Sequence, residues 1–304
     1  FLVDCGMFQG SQFNEEKNKD PFSFDPRDIS GVIVTHAHLD HVGRLPLLVK
    51  NGYQEHFYAT EPTIELTELI LEDALQIMLY NQRHFGALVL YDSTDIAKVM
   101  QQFKAVDYHE KFLLAPDVAF TFYDAGHIFG SAFVEVKAEG KNVVFSGDIG
   151  NINVPILRDT ETLPGGVDVL VCESTYGDRV HESALERQEI LENLISSAIG
   201  RGGVLMIPSF SLERTQELIY DLNDLVDRKH RLPAVPIFLD SPLAIKATKV
   251  YLKHPKYYDQ EATRLFKSGD ELFRFPGLVM TETKEESKKI NQTAGPKIII
   301  AGAG

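Results

Sequence analysis

Between Thr35 and Gly43 the chain reads THAHLDHVG, placing three of its ten histidines and one aspartate within six consecutive positions. A lone histidine here would be read as a packing or surface ring, but four donors this close together read as metal ligands. The run GVIVT before them is apolar and β-branched, which predicts a strand; VGRLPLLVKNG after them carries an apolar face and predicts a helix stopped at Asn51-Gly52. At a strand end the spacing of His36 and His38 points both rings to one side, so one cation can take both. Asp40 and His41 are expected in the loop that follows, where the chain turns and can offer a carboxylate and a third imidazole to a second ion. Imidazole with carboxylate suits zinc, and manganese or iron also fits such a set.

Two further candidates stand at strand ends beside glycines: His127 in YDAGHIFGSA and Asp148 in VVFSGDIGN. Alone, either would be read as a turn. The surrounding pattern predicts an amphipathic helix over 61–83, with Pro62 in its first turn, and another over 92–106. Three short antiparallel strands are expected between 118 and 150, and a buried strand in DVLVCES, 168–174. Strands and helices mix here without regular βαβ alternation, which favours two packed sheets covered by helices. From Tyr176 onward the style changes. A helix over 181–203 is followed by strand VLMIPSF, a helix in SLERTQELIYDLNDLV, strand PAVPIFLDSP and a helix in PLAIKATKVYLKH, which predicts a parallel α/β subdomain. The expected domains are therefore 1–177 and 178–304.

Net charge is −14, which argues against a nonspecific nucleic-acid binder, because phosphate contacts need clustered Lys and Arg. A local basic groove is still compatible with it, and the charge of bound cations is not in that count. Cys5 and Cys172 each end an apolar run and are expected as reduced, buried thiols. No apolar run approaches the ~18 residues of a membrane-spanning helix, and no stretch has the layout of a signal peptide, so the expected address is the cytoplasm. The chain opens inside a strand-like run and closes as a buried strand reaches AGAG, which reads as a fragment of a longer protein.

The order DCG, HAHLDH, AGHIFGSA and SGDIG resembles the metallo-β-lactamase superfamily. CESTYGDRVH, PSFSLERTQELIYDL and DSPLAIKATKVY are similar to its β-CASP branch, the nucleases of RNA and DNA. The resemblance implies an α/β (α+β) fold, a four-layer αββα sandwich with an inserted α/β β-CASP subdomain. It implies two divalent ions: His36, His38 and His127 on one, Asp40 and His41 on the other, Asp148 bridging them. Asp4 matches the carboxylate that orients the ligand-bearing loop, although a solvated or capping aspartate reads the same way. Glu173 matches an acidic residue that supports a later histidine, which would lie beyond Gly304. His181, His230 and His254 read as surface residues.

The implied reaction is hydrolysis of RNA phosphodiester bonds by a metal-activated hydroxide that Asp40 or Asp148 orients, leaving a 5′-phosphate. Ser209, Ser211 and Arg214 stand where a strand enters a helix, and read either as a phosphate site built on free amides or as an ordinary helix start. Ser241, Lys246 and Lys249 repeat the choice between backbone contacts and a solvated face. RNA is expected ahead of DNA, no membrane is expected as a partner, and a homodimer is left open. Two other functions share these residues: a small-ester or thioester hydrolase on the same scaffold, and a noncatalytic β-CASP scaffold of an RNA-processing complex.

Overall fold

The computed structural model describes residues 1–10, 16–150, 152–179, 187–233 and 235–302. By contact the chain divides into Phe1–Asn151 with Asp159–Thr175, and Ile152–Arg158 with Tyr176–Gly304. The first unit begins β1 (Leu2–Val3), β2 (Val32–Ile33), α1 (Leu39–Val42), α2 (Leu45–Lys50), β3 (Phe57–Ala59), α3 (Glu61–Phe85), α4 (Ser93–Gln102) and β4 (Phe103–Ala105). The four strands form one parallel sheet in the order β1-β2-β3-β4. There follow β5 (Phe112–Ala115), β6 (Val118–Asp124), β7 (Ala132–Ala138), β8 (Lys141–Phe145) and β9 (Val169–Val171), a second sheet in sequence order. Its pairings are antiparallel except β8 with β9.

The two-residue period of a strand decides what each sheet faces. Val32, Val34, Phe57 and Ala59 pack among the helices with Leu45, Leu48, Leu71 and Val99. Ile33 and Tyr58, one step out of phase, pack instead against Phe120, Phe122, Val134 and Val136 of the second sheet. Each such fully buried side chain stabilises by roughly 1.5–3 kcal/mol. Sheet therefore lies on sheet, with helices outside the first, and the fold is mixed α/β with several sheets. α3 starts as expected, with Pro62 in its first turn and Thr60 accepting from Thr63 N, and ends on Gly86 at φ 68°.

Several expectations need correction. The helix expected to reach 106 ends at Gln102, because Phe103 and Ala105 extend the parallel ladder beside Phe57 and Ala59. Asp40 and His41 lie in the helical turn α1 rather than a loop, since the His38 carbonyl accepts from both His41 N and Val42 N. Cys5 is half-buried, and burial pushes its thiol up to about 12. Cys172, however, is exposed, and so is the strand before it. β9 is an edge strand paired with β8 alone, and Val169, Leu170 and Val171 are left roughly half exposed among the described residues.

The second unit contains α5 (Arg187–Gly200), β10 (Val204–Ser209), α6 (Arg214–Asn223), β11 (Ile237–Asp240), α7 (Pro242–Lys253), α8 (Gln260–Lys267), β12 (Leu278–Met280), α9 (Lys284–Ile290) and β13 (Lys297–Gly302). Its four strands are all parallel in the order β10-β13-β11-β12, as strand–helix alternation requires. α6 starts at Arg214, after the turn that follows β10, and runs on into a wider π-type turn over Asp224–Arg228. His181 lies outside the described residues. No helix among the described residues is long and apolar enough to cross a membrane.

Candidate metal centre

Asp4 follows β1 in the left-handed region, at φ 59°. Its backbone N–H holds Ile33 O at 2.8 Å, so the side chain projects over the end of β2. There Oδ1 accepts from Thr35 N at 2.7 Å, and Oδ2 accepts from Thr35 Oγ1 and His41 Nδ1, each at 2.7 Å. Thr35, having given its proton to Asp4, accepts from His36 Nδ1 at 3.0 Å. These partners assign both tautomers. The Nε2 atoms of His36 and His41 are thereby the ones that face inward.

Inside that frame His38 Nδ1 stands 3.0 Å from His36 Nε2 and 3.1 Å from His127 Nε2. Asp148 Oδ2 is 3.6 Å from His36 Nε2 and 3.5 Å from His127 Nε2. One donor atom from each of His36, His38, His127 and Asp148 lies within 4.8 Å of all the others. Donors bound at about 2.0–2.2 Å to a tetrahedral ion stand roughly 3.3 Å apart, so this spacing fits a divalent cation. The other oxygen, Asp148 Oδ1, is 3.3 Å from His41 Nε2, and Asp40 Oδ2 is 3.9 Å from the same nitrogen. Asp40 is the most open of the set, with half its side chain exposed.

Burial and the neighbouring rings hold His36 well below its ordinary range, which favours the neutral ligand form. Burial also lowers His38, against the pull of Asp40 and Asp148. At His41 burial works in the same direction, yet hydrogen bonds and charge from Asp148 and Asp4 outweigh it and raise the ring to about 10. Burial raises Asp148, and His41 more than reverses that, leaving the carboxyl below its usual range. Positive charge is thus favoured on the His41 side, beside Asp4 and Asp148, and disfavoured on the buried His36 ring.

Two loops meet at the centre. Gly150 touches the Gly126–His127 peptide so closely that a Cβ would fall 1.6 Å from Gly126 O. Ser131 Oγ accepts from His127 N at 3.1 Å and from Ile128 N at 3.2 Å, fixing the loop that carries the ligand. Glu173 accepts from Ile149 N at 2.6 Å, and its own N donates to Ser146 Oγ at 2.9 Å. It therefore steadies the residue after Asp148. Thr35, Ser131 and Ser146 escape a reading by residue type; the available signal for Thr35 is a hydroxyl closing an otherwise apolar strand.

In the second unit the picture differs from expectation. Neither Ser209 nor Ser211 caps α6: the Ser209 hydroxyl donates to Phe210 O at 3.5 Å, and Ser211 Oγ lies 3.2 Å from Ser241 Oγ. Glu213 occupies the cap instead, and the amides of Arg214 and Thr215 donate to Leu212 O at 2.9 Å and Phe210 O at 3.2 Å. Those amides, expected to be free for a phosphate, are taken. Ser241 does cap α7, accepting from Ala244 N at 3.3 Å. Lys246 and Lys249 are exposed, Lys249 pairing with Glu282 at 3.0 Å. His230 is exposed and His254 half-buried.

The chain matches the Metallo-beta-lactamase superfamily over residues 1–193 and the Beta-Casp domain over residues 215–304. Ribonuclease TTHA0252 of Thermus thermophilus is 41% identical over 307 residues, which cover 100% of this chain and 67% of that protein. Transcription termination factor FttA of Methanosarcina mazei is 33% identical over 313 residues, 100% of this chain and 48% of the relative. Endoribonuclease ysh1 of Schizosaccharomyces pombe is 31% identical over 289 residues, 93% of this chain and 37% of the relative. The chain thus spans from 37% to 67% of the length of these relatives. With a His/Asp cluster suited to a divalent metal in the first unit and the Beta-Casp match in the second, the chain belongs to the metallo-β-lactamase superfamily, in its β-CASP, RNA-processing branch.

Proposed function

We propose that this chain is a metal-dependent ribonuclease that hydrolyses RNA phosphodiester bonds with two divalent cations, zinc first among them. The observation that carries the reading is the division of Asp148: Oδ2 faces His36 and His127 while Oδ1 faces His41. His36, His38 and His127 would hold one ion, and Asp40 with His41 the other, with Asp148 shared. When bound, such a pair lowers the pKa of a water from 15.7 to about 7 and offsets charge on the scissile phosphate. Asp4 and Thr35 keep the ligand nitrogens pointed inward, and Asp40, half exposed, is placed to orient an incoming water. Glu173 supports the Asp148 loop through Ile149 N.

In this reading residues 1–177 form the metallo-β-lactamase domain that carries the chemistry, and residues 178–304 the β-CASP subdomain that holds the RNA backbone. Arg214, Lys246 and Lys249 are its exposed cations near the two strand-to-helix turns. The names of the relatives favour RNA over a small ester, and the assembled donor set favours catalysis over a noncatalytic scaffold.

Asp148→Ala tests the proposal. Metal content of the purified chain should fall, and cleavage of a fluorescent oligoribonucleotide should fall with it by at least about a hundredfold. An Asp148→Ala chain with undiminished metal and activity would overturn the assignment.

A further inference from the structure

The cap of α6 is an unusual place for glutamate. Glu213 sits at φ 66°, ψ −66°, and Arg214 N donates to Leu212 O at 2.9 Å across it. That is a classic-type γ-turn, rare and strained even for residues without a bulky side chain. The side chain does not escape to water either: Glu213 is 4% exposed. Its Oε2 accepts from the Tyr251 hydroxyl at 2.6 Å, while Oε1, fully buried, has no hydrogen-bond partner among the described residues.

The next residue faces the opposite way. Arg214 keeps 60% of its side chain exposed, and its Nη1 rests on both oxygens of Glu217, at 3.1 and 3.2 Å. Glu217 is itself buried and is held from behind by Arg187 Nη1 at 3.2 Å. Arg214 is therefore an arginine propped outward from a fixed base, with the strained turn setting the direction in which it leaves the backbone.

We propose that Glu213, held by the Tyr251 hydroxyl, is a positioning residue that locks the turn and so aims Arg214 at a phosphate of the bound RNA backbone. This rests on the ribonuclease reading above and names one backbone contact within it. Burial and then the Glu217 charge push the Glu213 carboxyl well above its usual range, and the Tyr251 hydrogen bond and the charges of Arg214 and Arg187 only partly oppose them. With the first two amides of the helix already bonded to carbonyls, the grip on an anion falls to the guanidinium.

The test is a double-mutant cycle read as binding of a fluorescein-labelled single-stranded oligoribonucleotide to the 304-residue chain, in chelator so that no strand is cut. Arg214→Ala should weaken binding by on the order of tenfold, the scale of one charge-assisted contact. Glu213→Ala and Tyr251→Phe should weaken it in the same direction, and Glu213→Ala added to Arg214→Ala should do no further harm. Glu213→Gln, which keeps the shape and the acceptor for Tyr251, should bind like the unaltered chain. Additive losses, an unaffected Arg214→Ala, or a Glu213→Gln as weak as Glu213→Ala would overturn the positioning role while leaving the nuclease reading to the Asp148 experiment. An unaltered chain that binds no RNA would overturn the backbone contact as well, the nuclease reading again resting on the Asp148 experiment.

Discussion

Asp4 in the first unit and Glu213 in the second are both carboxyl groups held on a backbone with positive φ, at 59° and 66°. Their surroundings are opposite. Asp4 takes donors on both oxygens, from Thr35 N, Thr35 Oγ1 and His41 Nδ1, whereas Glu213 takes one hydroxyl and leaves its other oxygen unmet among the described residues. A carboxylate that collects donors from two segments acts as a hub: through it β1, the end of β2 and α1 are set relative to one another. An acid with a single hydroxyl partner acts only on its own turn. Strained backbone therefore marks both places, but the number of partners decides how far each reaches.

The sharpest way to break this comparison is to remove the two side chains in turn and titrate metal against a chromophoric chelator. Asp4→Ala frees both His36 and His41 to turn, so affinity should fall by about a hundredfold, the upper end for losing an outer-shell partner. Glu213→Ala, by contrast, should leave metal affinity where it was. Equal losses would mean that the hub and the local clamp are no different. Thr35 sharpens the point at a smaller scale. Thr35→Val keeps the branched shape but cannot relay Asp4 to His36 Nδ1, so metal should bind about tenfold more weakly, and Thr35→Ser should restore it. Should valine and serine bind metal alike, the tautomer of His36 is fixed by something other than the hydroxyl.

How much of this is legible in the sequence follows from the range of each interaction. His36 and His38 declare themselves because an alternation of two residues at a strand end is local. His127 and Asp148 show because glycines mark the loops that bring them in; Gly150 is needed where that loop lies on the Gly126 carbonyl. The parallel sheet of the second unit follows from strand–helix alternation. Three things did not follow. Asp40 and His41 form a helical turn because His38 O is free to accept from both His41 N and Val42 N, and no propensity in HLDHV reports that. Phe103–Ala105 leaves a helical pattern because a strand edge at β3 is waiting for it, a tertiary override. The serines before α6 look like caps by type, yet the γ-turn at Glu213 moves the helix start past them.

The smallest effect bears most directly on whether Glu213 is uncharged. In the unfolded chain a glutamate releases its proton near 4.5, while folded Glu213 holds its proton to a higher pH. Between those two values the folded state carries the extra proton, so stability falls as pH rises through the window and is unaffected below 4.5. Glu213→Gln cannot titrate. Its stability relative to the unaltered chain should therefore improve with rising pH, with a limiting slope of about 1.4 kcal/mol per pH unit for a single proton. The groups that face Glu213 are Tyr251 from α7, Arg214 and Glu217 from α6, and Arg187 from α5. Asp221, raised to about 6 by burial, titrates in the same window but is present in both proteins, so it cancels in the difference. Denaturant unfolding of the two chains from about pH 5 to 8 reads the slope directly. Parallel profiles would mean that Glu213 is ionised in the fold like an ordinary carboxylate, with the Tyr251 hydroxyl donating to a charged oxygen.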